Sequence, residues 1–151
     1  MTITDAKSPL FLDTNVLIYA SIKEAPEHLA VRGFVERHFC IGTLLYISRQ
    51  VLREYLAVLS RPQSNFKNIP QASVLLWLKT WRARCQILDD NEIVMETLWQ
   101  LYSDIPFGGK QVHDANLIAT LFSYGLDTLV TVNSADFVRF MPRLKLLDPR
   151  L

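Results

Sequence analysis

Acidic residues occur in this sequence where predicted strands end and along predicted helices. Asp13 interrupts the apolar run FLDTNVLIYA, Glu54 lies within a helix predicted from Arg49, and two further acids follow, Asp114 and Asp136. Carboxylates that converge on one crevice repel one another, and a hard divalent cation with oxygen ligands relieves that repulsion. A cation held in this way can activate water and stabilise charge during the hydrolysis of a phosphodiester.

Each of these carboxylates also has a purely structural interpretation. A buried charge is costly unless it is paired or coordinates a metal, but Asp13 and Asp114 could each cap a helix, where acids are favoured. Glu54 lies at the edge of the apolar stripe of its helix and could face solvent. Convergence of the acids, which follows from the predicted topology, favours a shared site over separate structural roles.

Short apolar runs alternate with amphipathic stretches along the chain. The predicted strands are 10–12, 44–47, 86–88, 128–132 and 144–147; the predicted helices start at 13 and cover 28–39, 49–59, 71–84, 92–102 and 114–124. Ser48 is the predicted N-cap of helix 49–59, and Gly125 closes helix 114–124. This alternation predicts an α/β fold with a largely parallel sheet.

In parallel sheets the functional crevice lies at the carboxyl ends of the strands. Asp13 directly follows the first predicted strand, and Asn133 follows the strand that contains LVTV, with Asp136 three residues further on. On its helix, Asp114 points into the middle of an apolar stripe. The residues of that stripe are Leu117, Ile118, Leu121 and Phe122.

Composition is typical of one domain with a packed core. The 151 residues are 50% hydrophobic, enough for such a core. Their formal net charge is +1, whereas a protein that binds nucleic acid as its main role is typically strongly basic. Cys40 and Cys85 lack a CxxC spacing and are predicted to be reduced core thiols of a cytoplasmic protein. The start MTITDAKSP shows no signal-peptide pattern, and no apolar run approaches the roughly 20 residues of a membrane helix.

Several basic and aromatic residues allow two interpretations. Lys110, Arg49 and Arg53 could contact phosphates, although a solvated charge is the commoner role of such residues. Trp77 and Trp81 lie one turn apart on a broadly apolar helix, which is typical of a core and also of a partner surface. His113 is predicted to be a capping or otherwise satisfied histidine rather than a catalytic group.

Several segments, in this order, resemble the motifs of PIN-domain nucleases. FLDTNVLIYA resembles the opening strand of that family, and SRQVLREYLAVLSRP resembles the second motif, with Glu54 in its acidic position. GKQVHDANLIATLFSYGLDTLVTVNSADFVRF resembles the third and fourth motifs, with Asp114 as the third acid. Within the family the chain looks most like VapC-type toxins of toxin–antitoxin pairs, from about Leu10 to Leu147.

The resemblance implies a three-layer α/β/α sandwich, in a single PIN-like domain over residues 1–151, and an endoribonuclease that depends on Mg²⁺ or Mn²⁺. It implies that Asp13, Glu54 and Asp114 are the metal ligands. The residues implied to orient Asp13 or to line the site are Thr14, Asn15, Thr131 and Asn133. The expected partners are an RNA substrate, a cognate antitoxin that covers an apolar groove, and a second copy of the chain.

One position departs from the family pattern. Many members carry an acid where this chain has Asn133, and the nearest acid here is Asp136. The fourth metal ligand and the number of metal ions are therefore open.

Other functions stay open at this stage. A HAD-type phosphatase or a phosphoacceptor receiver domain also places an aspartate after its first strand. The phosphatase needs DxD where this chain has DTN, and the acid pair and lysine of a receiver domain are not assignable. A PIN-fold module that binds RNA or protein without cleavage is a second alternative, for which Asn133 is the argument. A nuclease that acts on DNA is a third.

Overall fold

The computed structural model describes residues 7–62 and 68–151. Its strands form one sheet in the order β3-β2-β1-β4-β5. Their bounds are β1 Leu10–Leu12, β2 Leu45–Ser48, β3 Gln86–Leu88, β4 Thr128–Val130 and β5 Lys145–Leu147. All neighbouring strands pair in parallel, so their carboxyl ends lie at one edge of the sheet.

Helices connect the strands in the alternating pattern that the sequence predicts. Their bounds are α1 Thr14–Ser21, α2 His28–Cys40, α3 Arg49–Ser60, α4 Gln71–Arg84, α5 Glu92–Asp104 and α6 Gln111–Ser123, and a 3₁₀ helix covers Ser134–Phe140. Helices α1 to α4 pack on one another, and α5 packs on α6. The predicted α/β architecture with a parallel sheet is confirmed.

The core lies on the sheet and beneath the helices. Phe11, Ile47 and Leu129 in the strands are fully buried, as is Ile118 on the predicted apolar stripe of α6. Burial of all three residues of β1 explains why this central strand reads as an uninterrupted apolar run rather than an alternating pattern.

The predicted N-cap of α3 and the predicted glycine after α6 are confirmed, whereas the predicted start of α6 is wrong. Ser48 caps α3 by accepting a hydrogen bond from the Val51 N–H at 3.2 Å, and Gly125 follows α6 with a φ of 75°. Helix α6 begins at Gln111 rather than at Asp114, because the Gly108 carbonyl already accepts the Gln111 N–H at 3.1 Å. Asp114 is therefore inside the first turn and does not cap the helix.

Strand β4 ends at Val130 rather than at residue 132. The Thr131 N–H still donates to the Leu147 carbonyl, and the Thr131 hydroxyl donates to Asp13. Thr131 thereby becomes part of the candidate site described below.

The cysteine prediction is half right. Cys85 is a buried free thiol, and burial raises its pKa to about 12, so it is an inert core residue. Cys40 is a free thiol too but is exposed, because it lies at the solvent-facing C-terminal end of α2.

Two predictions fall partly outside the described residues. Residues 1–6, on which the absence of a signal-peptide pattern largely rests, are not described, nor are residues 63–67 of the predicted loop between α3 and α4. Among the helices that are described, none combines the length and the hydropathy needed to cross a membrane.

Candidate active site

Asp13 lies in the turn between β1 and α1 and is only 8% exposed. One carboxylate oxygen, Oδ1, accepts the Thr14 N–H at 2.8 Å, so the residue caps α1. The other, Oδ2, accepts the Thr131 hydroxyl at 2.8 Å and the Asn15 side-chain amide at 3.2 Å. The structural and functional interpretations of Asp13 are thus compatible, since capping uses one oxygen and leaves the other directed across the sheet edge.

Thr131, which follows β4, and Asn15 of α1 together hold Asp13. The Thr131 hydroxyl accepts the Asn133 N–H at 3.0 Å and the Asn15 amide at 3.3 Å while it donates to Asp13. The side-chain oxygen of Asn15, Oδ1, accepts the Val132 N–H at 3.3 Å. Asn133 contributes to this arrangement through its backbone N–H, and the residue is exposed directly before the 3₁₀ helix.

Glu54 is half-buried and lies next to the same group of residues. Its Oε2 accepts the Thr14 hydroxyl at 2.7 Å, and its Oε1 accepts the Gln50 amide at 2.9 Å. Thr14 therefore joins α1 to the acidic residue of α3. This arrangement is inconsistent with a simple exposed helix residue.

Asp114 completes the acidic cluster from helix α6. Burial raises its pKa above the ordinary value, and the negative charges of Asp136 and Glu54 raise it further. The positive charges of Arg139 and His113 oppose that shift. Asp136 is exposed on the 3₁₀ helix, and its negative charge is one of those that raise the pKa of Asp114.

The negative charge of Asp13 is costly in this environment. Burial is the main cause that raises its pKa from 3.8 to about 6, and the charges of Glu54 and Asp114 add to the shift. The hydrogen bonds from Thr131 and Thr14 act in the opposite direction by stabilising the carboxylate. The site thus holds a carboxylate that would be stabilised by a nearby positive charge.

A divalent cation fits the donor set. In the two described ranges no three acidic, histidine or cysteine side chains lie close enough to form a complete metal cluster. Mg²⁺, however, typically uses only a few carboxylates and completes its shell with water and substrate phosphate. The pKa values of Asp13 and Asp114 are both raised in part by the negative charge of Glu54, and no thiol or imidazole is among the proposed ligands, which matches a hard cation of this kind.

Sequence reasoning missed three polar residues behind the carboxylates. Gln50 contacts both Glu54 and the His113 carbonyl, and Asn116 joins Gln50 to Asp90, which follows β3. The i,i+4 spacing of Gln50 and Glu54 on one helix was the available signal. The links to α6 and β3 depend on tertiary structure.

The predicted phosphate-contacting residues are exposed. Arg49 forms an ion pair with Asp89 at 2.6 Å, in line with the surface-charge interpretation. The side chain of His113 is also exposed, and its charge acts on Asp114.

The raised pKa of Asp13 makes a prediction about stability. Because its folded-state pKa lies above its unfolded value, its contribution to stability is complete below about pH 3.8 and is lost as the pH rises through about 6. In EDTA, the free energy of unfolding of Asp13→Asn, measured relative to that of wild type, should rise by about 2 kcal/mol between about pH 4 and pH 8. Urea denaturation at both pH values measures this change.

Asp104→Asn, the same substitution at an exposed acid of α5, is the control for that experiment. A difference between Asp13→Asn and wild type that stays constant with pH would contradict a raised pKa at Asp13.

Comparison with known proteins supports one family. The PIN domain family model matches residues 10–140. Ribonuclease VapC24 of Mycobacterium tuberculosis is 29% identical over 133 residues, which cover 87% of this chain and 90% of that protein.

Solved structures agree on the fold. VapBC2 from Rickettsia felis, bound to a DNA fragment from its promoter, superposes with a TM-score of 0.68 at 20% identity, covering 91% of this chain and 96% of that one. VapC20 of Mycobacterium tuberculosis, described as a sarcin–ricin-loop-cleaving toxin, gives a TM-score of 0.57 at 14% identity, covering 80% and 86%. With the family model spanning most of its length and the same fold in these neighbours, this chain belongs to the PIN-domain family.

Proposed function

We propose that this chain is a VapC-type toxin, a metal-dependent endoribonuclease that acts as a single PIN-like domain. The observation that carries the proposal is the buried Asp13 carboxylate. Thr131 holds it in place, and Thr14 links it to Glu54 at the carboxyl edge of a parallel sheet. A buried acid with like charges beside it is costly for folding, and a catalytic cation explains why the fold keeps it.

Asp13, Glu54 and Asp114 would hold the cation, with Asp136 as a possible further ligand. When bound, Mg²⁺ or Mn²⁺ would supply an activated water and stabilise negative charge on the phosphodiester. The protein's own contribution is orientation: Thr131 and Asn15 fix Asp13, and Thr14 fixes Glu54.

RNA is the proposed substrate. The similar protein VapC24 is named a ribonuclease, and the structural neighbour VapC20 is described as cleaving the sarcin–ricin loop. The near-neutral charge of the chain suits a nuclease that selects a shaped RNA through a local surface rather than one that coats nucleic acid. A DNA substrate is the alternative that the cleavage experiment tests.

Cleavage should depend on both the metal and the acids. Purified, partner-free protein should cut members of a pool of structured RNAs in Mg²⁺ or Mn²⁺ and not in EDTA. Asp13→Asn and Asp114→Asn should each lower the rate by about 100-fold or more, since even outer-shell partners of a metal contribute about 10- to 100-fold. Gel analysis of the pool measures the rates.

Asp104→Asn provides the matched control and should cut like wild type, because Asp104 is exposed on α5. Cleavage that survives both active-site substitutions would contradict the proposed site. Metal binding without cleavage of the RNA pool would favour a PIN-fold binding module, and cutting restricted to DNA would favour a deoxyribonuclease.

An antitoxin is the proposed protein partner. Structural neighbours include the VapBC-1 complex of Haemophilus influenzae, with a TM-score of 0.66 at 19% identity over 94% of this chain and 98% of that one. In this chain Trp77 and Trp81 line a groove of about 160 Å³ between α1, α2 and α4. Trp81 is buried, and its ring N–H donates to the Ser21 hydroxyl at 3.4 Å. Trp77 is half-buried, so Trp81 belongs to the core and Trp77 lies partly at the surface.

This groove makes a prediction about partner binding. The product of a small neighbouring gene should co-purify with the wild-type chain, and Trp77→Ala should weaken that binding by about 10-fold or more, as for a typical aromatic interface anchor. Leu76→Ala, at a 62% exposed position of the same helix, is the control. Equal binding by both variants would exclude the tryptophan groove as the interface.

Helix α5 supports the expected homodimer. It exposes Ile93, Trp99 and Tyr102 by 60%, 61% and 65%, an unusual concentration of large apolar side chains on one helix. Light scattering should give twice the 17.4 kDa chain mass. Trp99→Asp should shift the mass toward the monomer, whereas a monomeric wild-type protein would contradict the dimer.

A further inference from the structure

Gln50 is a buried residue, 7% exposed, whose side-chain amide forms hydrogen bonds through both its nitrogen and its oxygen. Its Nε2 donates to Glu54 Oε1 at 2.9 Å and to the His113 carbonyl at 2.9 Å. Its Oε1 accepts the Asn116 amide at 2.8 Å. Both amide hydrogens and the oxygen therefore have partners on two different helices.

These partners allow only one orientation of the Gln50 amide. If the amide were flipped, its oxygen would face the Glu54 carboxylate and the His113 carbonyl, both of which are acceptors. Asn116 reinforces the observed orientation, because its Nδ2 donates to Gln50 and also to Asp90 Oδ2 at 3.0 Å. Among the described residues no buried side-chain nitrogen or oxygen lacks a partner, so this network is complete.

The same network fixes Glu54 relative to helix α6. One oxygen of Glu54 is held by Thr14 from α1 and the other by Gln50 from its own helix. Through the His113 carbonyl, Gln50 also contacts the residue directly before Asp114. Gln50 therefore holds the second oxygen of the Glu54 carboxylate and at the same time connects α3 to the helix that bears Asp114.

We propose that Gln50, supported by Asn116, is a positioning residue that orients Glu54 toward Asp114 for binding of a divalent cation. The inference rests on the proposed function in one respect, namely that these two acids are metal ligands. Hydrogen bonds to a ligating carboxylate fix its orientation, and their removal typically lowers metal affinity or activity by about 10- to 100-fold.

The direct test measures Mn²⁺ binding to RNA-free protein by electron paramagnetic resonance. Gln50→Leu keeps a side chain of similar size but removes both donors and the acceptor. It should raise the Kd for Mn²⁺ by about 10-fold or more while the binding stoichiometry stays the same. A merely structural role would lower the stoichiometry, since misfolded molecules bind no metal, and would leave the Kd of the folded fraction unchanged.

Tyr55→Phe is the matched control on the same helix. It removes the part-buried hydrogen bond between the Tyr55 hydroxyl and Ser21 at 2.7 Å and leaves in place Thr14 and Gln50, which donate to Glu54. Its Tm should fall while its Kd for Mn²⁺ stays at the wild-type value. Loss of stability by itself is thereby separated from loss of positioning.

Asn116→Leu is the second variant, and it decides the question if Gln50→Leu does not fold. It leaves the Gln50 donors in place but frees the amide to rotate, so it should raise the Kd for Mn²⁺ by a smaller factor than Gln50→Leu. Wild-type affinity in Asn116→Leu and in any folded Gln50→Leu would overturn the positioning role.

RNA cleavage by the same proteins distinguishes this inference from the proposed function. If Gln50→Leu weakens Mn²⁺ binding but no RNA is cut even by wild type, the positioning role stands and the ribonuclease proposal fails. If wild type cuts RNA and Gln50→Leu matches it in both cleavage and Mn²⁺ affinity, the ribonuclease proposal stands and the positioning role fails. A wild-type protein that binds no Mn²⁺ would overturn both.

Discussion

The burial of one negative charge at the end of β1 is the constraint on which the site depends. Asp13 cannot be solvated there, and its pKa of about 6 reflects that cost. Hydrogen bonds from the α1 backbone and from the Thr131 hydroxyl offset part of it. The remaining cost is kept in the folded state, as is typical of functional sites, where stability is sacrificed for a prepared charge.

The parallel sheet supplies the geometry that this charge requires. Because β1 lies at the centre of the sheet, the turns after β2 and β4 reach it from its two sides. Helix α3 begins directly after β2 and carries Glu54, and the segment after β4 provides Thr131. Asp13, Glu54 and Thr131 are thus each placed by a segment that directly follows a strand of the sheet.

Much of this arrangement follows from sequence patterns of short range. Apolar runs predict the strands, and the interruption of one such run by Asp13 indicates the edge of the sheet where the candidate site lies. The edge position of Glu54 on its helical stripe correctly predicts its half-buried state. These features depend on neighbours within one or two turns of the chain, and that is the range over which periodicity carries information.

The parts that could not be predicted depend on contacts between distant segments. The start of α6 is set by backbone hydrogen bonds to a glycine pair, and no side-chain cap marks it in the sequence. Gln50 and Asn116 are 66 residues apart and meet only through packing of α3 near α6. The sequence places a glutamine beside an acid, whereas its connection to a second helix requires the tertiary structure.

The bond between Asp13 and Thr131 joins residues 118 positions apart. Closing a loop of this length costs conformational entropy before the contact can repay it. A partly folded chain in which β4 has not yet paired with β1 lacks the Thr131 hydroxyl beside Asp13. The hydrogen bond that holds Asp13 therefore exists only where distant parts of the chain have come together, so the pairing of the buried carboxylate with its partner is a property of the folded state alone.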